Sequence, residues 1–190
     1  MDDWKTTKEN LRKTYFGSLS VKERLKSFLC GGDSWFIYQF LLHLRRYELL
    51  IKRRTTPWMT FCRIWHLRQY QRYARICGYV IGDGVLGDDV IFFHRASIII
   101  NPDARVGSGC LFHGDCCLGV SRTGDRGCPV LGKNVDIGTG AKILGNITIA
   151  DNIVIGANAV VTHSFTEPGI TIAGIPARKI ETGHSTEEIS

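Results

Sequence analysis

The sequence predicts a mainly β chain, a left-handed parallel β-helix preceded by an α-helical region, and three observations predict it. From Ile81 onward an aliphatic residue returns about every six positions. Between these steps Gly, Asn and Asp recur where a coil would turn a corner. Ahead of Gly78, by contrast, glycine is sparse and apolar residues are spaced as on helices.

The helical part comes first. Phe36, Phe40, His43, Leu44, Tyr47 and Ile51 share one face at helical spacing. Gly31-Gly32-Asp33-Ser34 reads as a C-cap followed by an N-cap, and Thr55-Thr56-Pro57 as a second break with proline opening a new helix. Three or four helices are expected between residues 4 and 76.

The repeat is legible in Leu86-Gly87-Asp88-Asp89-Val90, Ile137-Gly138-Thr139-Gly140-Ala141-Lys142, Ile143-Leu144-Gly145-Asn146-Ile147-Thr148 and Ile149-Ala150-Asp151-Asn152-Ile153-Val154. Ile155-Gly156-Ala157-Asn158-Ala159-Val160 follows the same template. Each short flat face needs one inward aliphatic side chain, and each corner needs a residue that tolerates positive φ. One coil cannot bury its apolar column alone, so successive coils must stack. Residues 120–128 carry glycine and charge but no aliphatic step, so a loop is expected to leave the solenoid there, and loops on a rigid scaffold often carry function. The expected organisation is a helical region at 1–77, a solenoid at 78–180 and a polar tail at 181–190.

A chain of 190 residues with 44% hydrophobic content suits one core with a helical appendage. Its net charge of +6 favours an acidic partner. The seven cysteines are odd in number and form no CxxC pair, the usage of a reducing compartment. The charged start Met1-Asp2-Asp3-Trp4-Lys5 does not read as a secretory leader, and the apolar run 35–44 is too short to span a bilayer, so a cytoplasmic protein is expected. Residues 45–75 set Arg45, Arg46, Lys52, Arg53, Arg54, Arg63, Arg68, Arg72 and Arg75 against the single acid Glu48, with Trp58, Phe61, Trp65, Tyr70 and Tyr73 interleaved. Two readings stand: a peripheral contact with an anionic membrane or glycan carrier, or a solvated basic face whose aromatics pack on the solenoid. No nucleic-acid motif is present.

Phe93-His94 before Ile98-Ile99-Ile100-Asn101, then residues 138–145, then Ile172-Ala173-Gly174-Ile175-Pro176-Ala177-Arg178 resemble, in order and spacing, the hexapeptide-repeat acetyltransferases. Within them the match is to the serine acetyltransferase branch and its capsular and colanic-acid relatives. The resemblance covers half the chain and implies acetyl-CoA as co-substrate and a homotrimer with the donor lying between subunits.

Acetyl transfer to an alcohol needs a base, and histidine suits that task near neutral pH. The resemblance puts His94 in that role. Counting faces stacks Phe92 near Phe112 and sets His113 one residue out of column from His94, so the two imidazoles are candidates for one site. Serine acetyltransferases carry an aspartate directly before the base, another about one coil earlier, and a histidine before the loop-closing proline. Phe93, Tyr79 and Cys128 stand at those positions here. Without the carboxylates an ammonium loses its obvious partner, and the 112–114 and 124–129 runs resemble the polysaccharide branch. A saccharide hydroxyl is therefore the expected acceptor, with serine O-acetylation as the alternative and a non-catalytic binding solenoid as a third reading. Arg95, Asp125 and Arg126 are the candidate acceptor-binding residues. Gly140, Ala141, Ala157 and Ala159 offer small-residue steps for the pantetheine arm, while Lys142, Arg178 and Lys179 are cations for the CoA phosphates. No metal is expected: after His94 only His113, His163 and His184 remain, none closely paired as an open zinc site requires.

Overall fold

The computed structural model describes residues 4–17, 19–20, 22–23, 32–53, 56–122 and 126–180. Three helices lie among them: α1 (Trp4–Phe16), α2 (Asp33–Ile51) and α3 (Pro57–Cys77). Thr56 caps α3, its side-chain oxygen accepting the Met59 N–H at 3.2 Å, and Pro57 occupies the first turn, where its missing N–H costs nothing. At the other end Gly78 turns left-handed (φ +79°) and its N–H returns to the carbonyls of Ala74 and Arg75. A Cβ there would lie 3.3 Å from the Ala96 carbonyl in a conformation that other residues resist, so glycine is the residue that lets helix pass directly into strand.

Strands follow in threes. The coils build a five-stranded sheet ordered β1-β3-β6-β9-β12, a three-stranded sheet β10-β7-β4, and a six-stranded sheet β14-β13-β11-β8-β5-β2. Here β1 is Tyr79–Ile81, β2 Ile91–Phe92, β3 Ile98–Ile100, β4 Arg105–Val106, β5 Leu111–Phe112, β6 Cys117–Gly119 and β7 Val130–Leu131. The rest are β8 (Asp136–Ile137), β9 (Lys142–Leu144), β10 (Thr148–Ile149), β11 (Val154–Ile155), β12 (Val160–Val161), β13 (Thr171–Ala173) and β14 (Arg178–Ile180). Pairing is parallel until β14, which folds back antiparallel on β13. This is the left-handed β-helix expected from the hexapeptide period.

One buried residue per face forms each column: Ile81, Ile100, Leu118, Ile143 and Val161 on the first sheet, and Phe92, Phe112, Ile137, Ile155 and Ile172 on the third. Every coil thus buries several aliphatic side chains, each contributing roughly 1.5–3 kcal/mol. The corners behave as expected. Asp89, Asp115, Asn134, Asn152 and Asn158 all have φ between +52° and +59°, and Asn134 donates to the Asn152 side chain one coil on at 3.1 Å. The interval from Cys117 to its partner Lys142 is longer than that from Lys142 to its partner Val160, and the extra length falls between β6 and β7. Of the loop expected at residues 120–128, 120–122 and 126–128 are strand-free.

The helices close the first coil. Phe40 on α2 meets Tyr79 edge-on at 5.2 Å, Tyr79 lies 5.0 Å from Phe92, and Phe92 stacks on Phe112 at 5.2 Å, an aromatic column that joins helix to solenoid. Tyr15 of α1 accepts the Phe92 N–H at 3.0 Å, and its burial pushes the phenol pKa up. The buried stripe of α2 runs through Ile37, Phe40, Leu41 and Leu44; Ile51, expected on that face, is 40% exposed at the end of the helix. The aromatics of α3 divide. Tyr70 and Tyr73 pack on the core, Tyr70 donating to the Ile81 carbonyl at 2.9 Å. Trp58, Phe61 and Trp65 are exposed, which corrects the reading that all of them pack on the solenoid.

Candidate active site

His94 leaves β2 at a corner, exposed, because the inward position is taken by Phe92. Its carbonyl accepts the Tyr79 hydroxyl at 2.8 Å, a bond that ties the corner to the coil below, and burial pushes the Tyr79 phenol up, so it remains a donor. Next along, Arg95 donates through its backbone N–H (3.4 Å) and Nε (2.5 Å) to Asp33 at the start of α2, and its guanidinium lies 4.9 Å over the Phe36 ring. That bond holds the Asp33 carboxyl below the usual carboxylate range, with His94 adding a smaller electrostatic contribution. The helical region therefore places a carboxylate at this corner, bound to the residue after His94.

His113 occupies the same sheet one coil on. The register that pairs Phe92 with Phe112 sets Phe93 opposite His113, and the two rings stack at 4.6 Å. The His113 Nε2 lies 2.8 Å from Asp136 Oδ1, in the next strand along. The offset expected from face counting is present, and its consequence is a partner other than the expected one: His113 is held by Phe93 and Asp136, while the residue aligned with His94 is Gly114. Gly114 accepts the Gly140 N–H at 2.9 Å, and Thr139 accepts that of Asn158 at 2.8 Å, so one ridge of corners descends from His94.

The other candidates distribute along and away from that ridge. Gly140 and Ala157 lie on it with surface available, whereas Ala141 and Ala159 are fully buried and fill the narrow space inside the corner, so they cannot line a channel for a ligand. Lys142 bonds the Asp115 carbonyl, the corner whose side chain accepts the Ser97 N–H at 3.2 Å. Lys179 is paired with Glu167 at 2.7 Å in an exposed ion pair, and Arg178 beside it is exposed. Both sit on β14, at the opposite edge of the six-stranded sheet from β2, about 24 Å away at strand spacing, so only an extended ligand reaches them from His94. Arg126 is exposed on the loop; Asp125 lies outside the described residues. Cys128 is buried and desolvation pushes its thiol up, the behaviour of a packing residue. Among the described residues no three His, Cys, Asp or Glu side chains cluster as metal ligands.

Two members of the site were missed in the sequence. Asp136 was within reach, since the register that stacks Phe92 on Phe112 continues Leu111 onto Asp136. Asp33 gave no such signal: its place depends on how α2 docks against a corner 62 residues away.

No family model matches the chain. Curated relatives do. The serine acetyltransferase of Synechococcus elongatus is 38% identical over 96 residues, covering 50% of this chain and 39% of that protein. That of Buchnera aphidicola is 36% identical over 156 residues, covering 74% and 56%, and that of Helicobacter pylori is 34% identical over 116 residues, covering 60% and 66%. The chain thus spans between two fifths and two thirds of their lengths. Among solved structures, soybean serine acetyltransferase superimposes with a TM-score of 0.62 at 27% identity, covering 77% of this chain and 58% of that one. The Neisseria gonorrhoeae enzyme in complex with serine gives 0.64 at 25% identity, covering 94% and 69%. These findings overturn the saccharide acceptor: the relatives are named for serine, and closeness to the capsular and colanic-acid branch is not what the matches show. Sequence and fold agree that the chain belongs with the serine acetyltransferase-like hexapeptide-repeat acetyltransferases.

Proposed function

We propose that the protein is a serine O-acetyltransferase using acetyl-CoA, with His94 as general base. The observation that carries this reading is the likeness to serine acetyltransferases, 36% identity over 156 residues with the Buchnera aphidicola enzyme, together with His94 exposed at the corner that follows β2. The carboxylates expected before the base and one coil earlier are replaced by Phe93 and Tyr79, yet α2 returns one to the same corner. That carboxylate is already paired with Arg95 at 2.5 Å, so an amino acid's ammonium shares it with the guanidinium.

The imidazole of His94 takes the proton from the serine hydroxyl as its oxygen attacks the thioester carbonyl. The tetrahedral intermediate collapses, the C–S bond breaks, and the thiolate leaves with the proton returned by His94. Each proton and electron pair is accounted for within the two substrates and one imidazole. His113, held by Asp136 and Phe93, lines the acceptor side. Below the buried Gly114, the ridge keeps accessible surface at Gly140, Ala157 and Asn158, which suits the pantetheine arm, while Arg178 at the far edge of the same sheet suits a phosphate. The triangular solenoid presents flat faces, and packing these about a threefold axis makes the homotrimer its natural assembly, with the ridge facing a neighbour.

Thiol release from acetyl-CoA with L-serine tests the reading. Turnover with serine that disappears in His94→Ala is expected. Absence of turnover with serine, or full activity in His94→Ala, overturns it.

A further inference from the structure

Helix α3 carries apolar side chains on two faces: Tyr70, Tyr73, Ala74 and Cys77 pack on the core, and a second set points outward. Its exposed large side chains are Trp58 (72%), Phe61 (60%), Ile64 (50%), Trp65 (46%) and Ile76 (39%), with Arg68, Arg72 and Arg75 exposed among them. At about 100° per residue these eight positions fall within an arc of about 120°. Aromatic residues fill its first turns and arginines the later ones. Trp58 and Phe61 stack on each other at 5.7 Å, and among the described residues no core residue covers them. Stable folding alone would put such side chains on the opposite face.

We propose that this face of α3 docks the protein on an anionic lipid bilayer, with the aromatic turns entering the headgroup region and the arginines meeting lipid phosphates. Charge decides the occupant. No acidic residue occurs on α3, and Glu48, the lone acid across residues 45–75, is committed to Arg45 at 2.9 Å. A second copy would bring the same unrelieved arginines against these, whereas an anionic bilayer supplies both the opposite charge and an apolar layer. Tryptophan and phenylalanine suit that boundary. Among the described residues no helix is long and apolar enough to cross a membrane, so α3 lies along the surface, presenting about 31 Å of helix from its 21 residues.

Cosedimentation of the full chain with phosphatidylcholine vesicles, with and without phosphatidylglycerol, tests this. Binding that requires phosphatidylglycerol and weakens with salt is expected, with a blue shift of tryptophan emission. Trp58→Ser with Phe61→Ser, and separately Arg68→Glu with Arg72→Glu, should each lower affinity at least tenfold while thiol release from acetyl-CoA is unchanged. Equal binding to both vesicle types, or binding that survives both variant pairs, overturns the proposal. So does sedimentation velocity without lipid in which the Trp58 and Phe61 pair of substitutions breaks a larger particle into a smaller one, since that assigns the face to another copy of the chain.

Discussion

Phe93 and His113 stack with ring centroids 4.6 Å apart and planes 14° apart, one coil separating them in the chain and one strand spacing in space. The stack fixes the imidazole plane, and Asp136 at 2.8 Å fixes its rotation about that plane. Asp136→Asn leaves the stack and removes the charge-assisted bond. Because both side chains are about a third exposed, solvent screens the pair, and a loss of about 1 kcal/mol is expected. Steady-state kinetics should show kcat/KM for serine reduced about fivefold with the melting temperature little changed.

His94→Ala should lower kcat by roughly 10²–10⁴, the range for removal of a general base, with KM for acetyl-CoA nearly constant. The side chain is exposed, so thermal denaturation should be unaffected. Tyr79→Phe provides the contrast. It deletes the bond to the His94 carbonyl and should cost about 1 kcal/mol of stability together with a few-fold of kcat, since it holds the corner and touches no substrate.

Asp33→Asn removes the carboxylate from the corner. If it receives the serine ammonium, KM for serine should rise about tenfold while kcat changes little, and stability should fall by no more than about 1 kcal/mol because its pair with Arg95 is partly exposed. An unchanged KM for serine would show that the ammonium is held elsewhere.

How much of this was legible in the sequence follows from which interactions are local. The coil template is periodic, so Phe92 over Phe112 and the positive-φ corners at Asn134, Asn152 and Asn158 could be counted out in advance. The same count contains Asp136, and only attention to charge at its position was lacking. The buried state of Ala141 and Ala159 was not evident, because small residues fit both an interior corner and a ligand channel. Asp33 and the exposed tryptophans depend on how helices dock on a solenoid, an arrangement of side chains distant in sequence that no period encodes.

Phe92→Ala tests that docking. The ring is fully enclosed between Tyr79, Phe40 and Phe112, so its removal leaves a cavity at the junction of helices and first coil. A loss of about 3–5 kcal/mol is expected by denaturant titration. Ile155→Val, deeper in the same column and away from the helices, should cost only about 0.5–1.5 kcal/mol.

The pair His43 and His66, joining α2 to α3 with Nδ1 atoms 2.9 Å apart, should make stability depend on pH. Burial lowers both pKa values to about 4, with His66 acting further on His43 and Arg46 on His66. Trp65 and Tyr73 pack against the His43 ring, so no carboxylate among these neighbours offsets a positive charge. Unfolded, each ring titrates near 6.5. Between pH 6.5 and 4 the unfolded chain therefore binds more protons than the folded one, and stability falls as pH falls. Above pH 6.5 both states are neutral at these rings and the contribution is complete. The two sites share one hydrogen bond and His66 is partly exposed, so a loss of order 1–2 kcal/mol by pH 5 is expected. Replacing both rings, His43→Phe with His66→Leu, should flatten the melting temperature between pH 7 and 5 relative to the parent chain. A parent melting temperature that is constant over that window would mean that the pair accepts a proton without cost, as a shared N–H···N bond between one charged and one neutral ring.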